Sequence, residues 1–287
     1  MKPTDSLRLK LIERLRAEGS EDLVGPMAQC GNEMTLVCTC CGEQKSVFVH
    51  CKRRWCPSCQ PMVSAVRMER WGHAIEQMQW PLFITLTIPN SVDPESLRVL
   101  RSAWSRLRRR KLISSRIRGG VATFEITNKG SGWHPHIHAV ADCRWLSLHV
   151  PEPLRTDPSV VVQEKCRLAQ KELSSLWADV LQVDTAIVWV RRVKEVGSMA
   201  KEVMKYCMKG SDLVESVDPI SPMLRVLKQT RTLSGWGSLH PLPCPDTEDS
   251  PAVECEKCHS QGAFLPAEVV SYITQAADNR SYQAPKS

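Results

Sequence analysis

The chain has 287 residues, a formal net charge of +7 and a hydrophobic content of 42%, so we expect one large domain with small appendages and a packed core. The N-terminal stretch MKPTDSLRLKLIERLRAEGSEDL is charged and lacks the apolar core of a secretory signal. The longest apolar stretch, WPLFITLTIP, is too short to cross a bilayer. These features predict a cytoplasmic protein without a membrane partner, in which closely spaced cysteines hold metal more often than they form disulfides.

Hydrophobic periodicity predicts helices and strands that alternate around a β-hairpin. The hairpin is predicted from two strand-like runs, 121–127 and 136–141, which flank the turn-forming segment 128–132. This order favours an α+β fold, with a largely antiparallel sheet and helices on one face of it. The other predicted elements are, in chain order, a helix at 5–18, a cysteine-dense segment at 30–60, a helix at 62–79, a strand at 82–88, a helix through the basic segment after Asp93, a loop at 151–159, a helix at 161–181, a strand at 186–193 and a helix at 197–209.

Positive charge is concentrated in the segment after Leu97. Between Leu97 and Phe124 the chain has nine Lys or Arg residues and no acidic residue. Such a run is often only the solvated face of a helix, but without carboxylates it also suits contacts to nucleic-acid phosphates. We therefore predict DNA binding by four consecutive residues, Arg108, Arg109, Arg110 and Lys111.

The first cysteine cluster contains two Cys-x2-Cys pairs, Cys38–Cys41 and Cys56–Cys59. Each pair can supply two thiolates to a tetrahedral zinc ion, and the adjacent Gly42 and the internal Pro57 suit the tight turns that this requires. We predict one four-thiolate zinc site of the zinc-ribbon type, with buried free thiols as the alternative. Three further cysteines of this region are not assigned to the site, namely Cys30, Cys40 and Cys51, and Cys51 could replace one of the four ligands or join a second site.

A second cysteine group lies near the C-terminal end of the sequence. Cys255 and Cys258 form one good Cys-x2-Cys pair, whereas Cys244 stands alone. His240 and His259 lie beside these cysteines, but the second pair that a tetrahedral site needs is incomplete. We keep Cys244, Cys255 and Cys258 as a possible second zinc site.

The segment GWHPHIHAVAD places two histidines two positions apart on a predicted strand. Side chains two apart on a strand point to the same face, so His136 and His138 project together and Ile137 faces the core. Glu125, on the neighbouring hairpin strand, can reach the same point. Two imidazoles and a carboxylate make a plausible site for Mg²⁺ or Mn²⁺ acting on a phosphodiester, and a surface strand decorated with histidines is the alternative.

The segment GSMAKEVMKYCMKG reads as an amphipathic helix with three polar side chains opposite its apolar face. Tyr206 is one of three tyrosines in the chain, and a tyrosine hydroxyl can attack phosphorus when a metal polarises the phosphate. Lys209 could stabilise the phenolate, and Glu202 could act as a general base. The alternative is an ordinary solvated helix face.

Three motifs in this order resemble those of HUH endonucleases. They are FITLTIPN, EITNKGSGWHPHIHAV and VKEVGSMAKEVMKYCMK, and the resemblance runs over residues 36–235. More narrowly, they resemble the rolling-circle replication initiator (Rep) proteins of small bacterial plasmids. The resemblance implies a ferredoxin-like (RRM-like) antiparallel sheet, with His136 and His138 as the metal-binding HUH pair and Tyr206 as the nucleophile.

The resemblance also implies an activity on DNA. Such a protein nicks one strand in a single-stranded or cruciform origin region, and it leaves a 5′-phosphotyrosine link and a free 3′-OH for host polymerase, with a helicase as a further host partner. It then rejoins or releases the strand. This sequence has one such tyrosine, and Glu202 matches the glutamate that some single-tyrosine initiators place there to activate water for release of the DNA. The resemblance supports the roles of Glu125 and Lys209 less strongly than those of the two histidines and Tyr206.

Two other functions are compatible with the sequence. A transposase of the HUH type would use the same chemistry on transposon ends, although those enzymes usually carry two tyrosines. A zinc-ribbon regulator would bind DNA without cutting it. We predict an N-terminal helical segment at 1–29, a zinc-binding module at 30–61, the HUH endonuclease domain at 62–235 and a C-terminal extension at 236–287 with the possible second zinc pair.

Overall fold

The computed structural model describes residues 3–146, 158–193, 195–204, 210–240, 255–260 and 264–267. The chain divides into two compact units, and each is built from separate stretches of sequence. The larger unit comprises 1–27 and 52–245, and the smaller comprises 28–51 and 246–287. The division of the chain into four consecutive functional segments stays a prediction.

Helices and strands alternate through most of the described part of the chain. Their bounds, in chain order, are α1 (Pro3–Ala17), α2 (Glu21–Ala28), β1 (Glu33–Cys38), β2 (Gln44–Phe48), α3 (Gln60–Glu76), β3 (Pro81–Thr87), α4 (Ser96–Arg109), α5 (Lys111–Ser114), β4 (Gly119–Asn128), β5 (Trp133–Asp142), α6 (Pro158–Leu181), β6 (Val188–Arg192), α7 (Val196–Met204), α8 (Gly210–Glu215), α9 (Ser221–Lys228), β7 (Leu233–Gly237) and β8 (Phe264–Pro266).

The larger unit is built on a five-stranded antiparallel sheet in the order β6-β3-β5-β4-β7. The predicted β-hairpin is confirmed as β4 and β5, which pair along their whole length. In the connecting turn the side-chain oxygen of Asn128 accepts a hydrogen bond from the N–H of Gly130 at 2.9 Å, and Gly130 has a φ of +91°. A glycine suits this position because side chains disfavour positive φ.

One face of the sheet is covered by α4 and α6. Alternation along β5 sends Ile137 to this face, where it is fully buried. Trp104 of α4 packs edge-on against Trp236 of β7, with ring centroids 5.2 Å apart. The indole N–H of Trp177 in α6 donates to the carbonyl of Thr87 at 2.7 Å, so α6 is tied to the end of β3.

The prediction that helices cover one face only is wrong. On the opposite face of the sheet, Phe83, Val121 and Val140 form an apolar surface. Removing such a surface from water stabilises the fold. This surface packs against α3 and α7, whose buried residues include Trp71 of α3 and Val203 of α7. The α+β class and the antiparallel pairing are confirmed.

Strand β7 is absent from the sequence prediction because its residues, Leu-Ser-Gly-Trp-Gly, have little β propensity. It forms where β4 begins with Gly119 and Gly120. A Cβ on Gly120 would lie 2.4 Å from the ring of Trp236. The ring can therefore pack against β4 only because residue 120 has no side chain. Pairing between distant segments, rather than local preference, therefore creates this strand.

The smaller unit contains a three-stranded antiparallel sheet in the order β2-β1-β8. Strand β8 comes from the C-terminal part of the chain and pairs with the end of β1, from Leu36 to Cys38. Among the described residues of the chain, no helix combines the length and apolarity needed to cross a membrane.

Replacing Ile137 with Ala should lower the free energy of unfolding by about 2–5 kcal/mol, because a fully buried branched side chain leaves a cavity. Chemical denaturation measures this loss. The matched control is Val99→Ala on α4, where the side chain is 53% exposed and the change should stay within about 0.5 kcal/mol. Equal effects of the two changes would contradict the assignment of Ile137 to the core.

Candidate functional site

Glu125, His136 and His138 converge on the face of the sheet opposite to Ile137. Glu125 lies directly across from His136 in the β4–β5 register. Its Oε2 is 3.1 Å from Nε2 of His136 and 2.9 Å from Nε2 of His138. The three side chains are mostly buried, with 10–16% of each exposed. The hairpin thus brings together the three residues that the sequence predicted as metal ligands.

The other nitrogen of each imidazole is held by a neighbouring group. Nδ1 of His136 lies 3.1 Å from the carbonyl oxygen of His134, and Nδ1 of His138 lies 3.1 Å from the hydroxyl of Thr85. A carbonyl can only accept, so Nδ1 of His136 carries the hydrogen. Nε2 of His136 therefore faces the carboxylate of Glu125.

An imidazole nitrogen without a hydrogen and a carboxylate oxygen are both acceptors, so at 3.1 Å Nε2 of His136 and Oε2 of Glu125 need a proton or a metal ion between them. Burial alone would raise the pKa of Glu125, but the hydrogen bonds and charges of the two histidines outweigh it and hold that pKa well below its usual range. A carboxylate and two imidazole nitrogens within 4.8 Å of one another fit a divalent ion. The group could therefore hold a metal.

His134 is not part of this group, although its ring centroid lies 5.4 Å from that of His136. Burial lowers the pKa of His134, and the charges of His136 and Lys129 lower it further. The backbone carbonyl of His134, and not its imidazole, contacts the site, where it accepts the hydrogen bond from Nδ1 of His136.

Helix α7 lies across the same face of the sheet. Its buried residues Ala200 and Val203 pack in one cluster with Val121 and Val140, which stand beyond the ligand group on β4 and β5. Glu202 lies on this helix. Tyr206 and Lys209 lie outside the described residues, and Tyr206 follows the last residue of α7 by two positions.

Three residues around the ligands escape sequence reasoning. Thr85 of β3 and Thr123 of β4 flank His138 in the sheet register. Trp189 of β6 stands across from Thr85 and is 62% exposed on the same face. The alternation in LFITLT and IVWVRR could have indicated which residues share a face, but only the pairing of β3 with β5 and β6 brings them to the histidines.

The second candidate metal group lies in the smaller unit and consists of Cys38, Cys41, Cys255 and Cys258. Sγ of Cys38 is 3.6 Å from Sγ of Cys258, and Sγ of Cys41 is 3.6 Å from Sγ of Cys255. Such a cluster of thiols is the donor set of a structural zinc site. The four cysteines could hold one metal ion.

The two halves of this cysteine group have the same backbone shape. The N–H four residues after the first cysteine donates back to its carbonyl, from Gly42 to Cys38 at 2.9 Å and from His259 to Cys255 at 2.8 Å. Gly42 and His259 both have positive φ, +73° and +54°. The two Cys-x2-Cys turns are thus matched halves of one site.

Backbone hydrogen bonds lower the pKa of these thiols, whereas burial raises it. A backbone N–H of Cys41 lowers the pKa of Cys38 to about 6, which favours the metal-binding thiolate. A backbone hydrogen bond from Glu43 acts in the same sense on Cys41, but burial and the neighbouring thiols raise the pKa of Cys41 to about 12. A cation bound between the four sulfur atoms would stabilise the thiolate of Cys41 as well as that of Cys38.

The predicted tetrad of Cys38, Cys41, Cys56 and Cys59 is corrected by this arrangement, because Cys255 and Cys258 complete the group around the first pair. Strand β8 follows Cys258 and pairs with the end of β1, which brings the distant pair to Cys38. Cys244, the third member of the predicted second group, lies outside the described residues.

Cys56 and Cys59 lie in the larger unit and are fully buried at the start of α3. The N–H of Cys59 donates to the carbonyl of Cys56 at 3.1 Å, which is the tight turn that the sequence predicted. A zinc-binding role for this pair stays a prediction.

The four basic residues predicted to bind DNA differ in their surroundings. Arg108 is half-buried 5.4 Å from the ring centroid of Trp104, and burial, together with the charge of Arg109, lowers its pKa. Arg110 pairs with Asp179 at 2.5 Å. Arg109 and Lys111 are exposed, so these two are best placed to meet a phosphate.

Replacing Thr85 with Val should weaken Mn²⁺ binding about 10–100-fold, because the hydroxyl that orients His138 is removed. Isothermal titration calorimetry on the metal-depleted chain measures this affinity. The control is Thr87→Val, whose hydroxyl donates to the carbonyl of Ile187. A weakening of the same size in the control would rule out a specific role for Thr85.

Replacing Cys255 and Cys258 together with Ser should remove one equivalent of bound zinc per chain, since only two of the four thiolates remain. Elemental analysis of the purified protein gives the count. Cys40→Ser is the matched control, because Cys40 sits between Cys38 and Cys41 in sequence but is exposed and outside the group. Unchanged zinc in the double variant would refute the site.

Comparison with known proteins places the chain in a family. Residues 44–270 match the Rep_1 family, described as replication protein. The chain is also 28% identical over 222 residues to a protein from Lactiplantibacillus plantarum named Protein rep. That match covers 66% of this chain and 64% of the relative, so the chain spans less than two thirds of the relative's length.

No solved structure matches the chain. The family match covers well over half of the sequence and includes Glu125, His136, His138 and Tyr206. The resemblance to replication proteins drawn from the sequence motifs is thereby confirmed. The chain belongs to the Rep_1 family of replication proteins.

Proposed function

We propose that this protein starts rolling-circle DNA replication by nicking one strand at an origin. The observation that carries the proposal is the convergence of Glu125, His136 and His138 on the sheet of a Rep_1 family chain. Helix α7 crosses that face and ends two residues before Tyr206. We therefore assign Tyr206 as the nucleophile toward a phosphate bound at the ligand group.

In the proposed reaction the hydroxyl oxygen of Tyr206 attacks the scissile phosphorus. A bond forms between this oxygen and phosphorus, and the bond from phosphorus to the 3′-oxygen breaks. The phenol gives up its proton, and the departing 3′-oxygen takes one up to become a free 3′-OH. The 5′-phosphate stays on Tyr206, and Lys209 stabilises the phenolate before attack and again when the tyrosine is released.

A Mg²⁺ or Mn²⁺ ion held by Glu125, His136 and His138 would polarise the phosphate. The chain's own contribution is to orient the two histidines, through Thr85 and the carbonyl of His134, and to keep the three ligands mostly buried. Glu202 takes the proton from the water that later hydrolyses the phosphotyrosine, which frees the enzyme and leaves a 5′-phosphate. This last step lets one tyrosine serve both initiation and release.

The strand order supports the ferredoxin-like fold that the resemblance implies. The elements β3, α4, β4, β5, α6 and β6 follow one another as β-α-β-β-α-β, and they form the strand order β6-β3-β5-β4. In this fold we assign Trp189, exposed beside the ligand group, as a stacking surface for a base next to the cut. We also assign the smaller unit, with its matched cysteine turns, as a zinc ribbon that takes part in DNA binding.

The decisive experiment incubates the protein with Mn²⁺ and single-stranded oligonucleotides from its own replicon. A covalent protein–DNA adduct should form, and Tyr206→Phe should abolish it because the attacking oxygen is missing. Denaturing gel electrophoresis detects the adduct. Tyr272→Phe is the matched control and should form adduct at the rate of the unchanged protein.

Three results would overturn parts of the proposal. Specific binding without any cleavage would favour a DNA-binding regulator. Cleavage at transposon ends rather than at an origin would favour a transposase. Adduct formation that persists in His138→Ala with Mn²⁺ present would separate the chemistry from the candidate metal group.

A further inference from the structure

A second polar cleft lies at the end of the central sheet away from the candidate metal group. Its volume is about 580 Å³, within the range of about 300–1,000 Å³ typical of ligand sites. Strand β5 runs from the histidines to Asp142 in the cleft wall, and four residues from His138 correspond to about 13 Å. The lining residues are Gln79, Trp80, Ser114, Ser115, Arg116, Ile117, Arg118, Asp142 and Arg144.

The cleft carries net positive charge, with three arginines against one carboxylate. Arg118 reaches Gln79 at 3.0 Å and Asp142 at 3.7 Å, and its side chain is 63% exposed. The carboxylate of Asp142 is occupied on its other side, where Oδ1 accepts the N–H of Trp80 at 2.8 Å. Two of the three positive charges therefore remain without a matching carboxylate among the lining residues.

Arg116 provides an independent sign of a missing ligand. Its Nη1 is buried and has no hydrogen-bond partner among the residues that the structure describes. A buried guanidinium nitrogen without an acceptor is costly, and a phosphate oxygen is an acceptor that matches its geometry. Arg116 thus lines the cleft with a guanidinium whose hydrogen-bonding capacity the described residues do not fully use.

An aromatic ring stands beside these charges. Trp80 is 37% exposed, and the guanidinium of Arg144 lies 5.4 Å from its ring centroid. Arg192 holds the backbone of both residues, because its Nη1 donates to the carbonyl of Trp80 at 3.0 Å and its Nη2 donates to the carbonyl of Arg144. A fixed indole next to arginines is the combination that stacks an unpaired base while its phosphate is held.

We propose that this cleft binds a segment of single-stranded DNA, with a phosphate at Arg116 and Arg144 and a base on Trp80. The inference rests on the proposed function in one respect, that the strand held here is continuous with the strand cut at the metal group. Binding in the cleft would hold that strand at a second point, on the same sheet and roughly 13–20 Å along β5 from the two histidines.

The test measures binding of a fluorescein-labelled single-stranded oligonucleotide by anisotropy, in the Tyr206→Phe chain so that no strand is cut. Arg116→Gln combined with Arg144→Gln should weaken binding about tenfold, and the dependence of log affinity on log salt should become shallower by about 0.7 for each phosphate that the variant no longer binds. The matched control removes two exposed charges elsewhere, Lys10→Gln and Lys171→Gln, and should change both quantities little.

A second pair of variants tests the stacking surface if the double arginine variant does not fold. Trp80→Leu should weaken binding about tenfold, and Trp80→Phe should restore most of it because a ring is retained. Equal weakening in the Leu and Phe variants, or no weakening in either, would overturn the stacking role.

Two further arms identify the ligand. Inorganic phosphate should compete no better than chloride of equal ionic strength, and duplex DNA should bind the unchanged and the Arg116/Arg144 variants with similar affinity. Strong competition by inorganic phosphate, or equal weakening for duplex and single strand, would overturn the proposal. Adduct formation by the unchanged chain is scored separately, so a failure of the cleft and a failure of the nicking function are distinguishable.

Discussion

The antiparallel pairing of β4 with β5 in one register is the constraint on which the candidate metal group depends. It sets Glu125 opposite His136, and it keeps His138 on the same face. A slip of one residue would turn either set of ligands toward α4 and α6, because neighbouring side chains alternate between faces. A slip would also expose the buried residues of the opposite face, such as Ile137, and this exposure would be costly. The packing of one face therefore fixes the positions of the ligands on the other.

The same sheet face serves two purposes along its length. At one end Phe83, Val121 and Val140 are covered by α3 and α7, and this apolar contact anchors the helix that leads to Tyr206. At the other end the covering stops, and the ligands remain partly accessible beside the exposed Trp189. A sheet covered by helices on one face only would have left α7 without this contact.

The cysteines show where local reasoning succeeds and where it stops. Each Cys-x2-Cys spacing predicted a tight turn, and the hydrogen bonds within the turns of Cys38 and Cys255 bear this out. Which two turns come together depends on strand pairing across more than two hundred residues, and the Cys-x2-Cys spacing does not reveal that pairing. The similarity of the two turns is also not visible in the sequence, because His259 occupies the position of positive φ that Gly42 occupies in the first turn.

The sequence by itself determined the hairpin, the shared face of His136 and His138 and the membership of Glu125 in their group, since alternation and a short turn are local properties. Only the tertiary structure decided that Thr85 orients His138, that α7 lies over the ligand face and that Cys255 and Cys258 complete the group of Cys38 and Cys41. Those contacts join residues far apart in the chain. Their formation depends on how the strands pair and how the helices bury apolar surface, which no local pattern encodes.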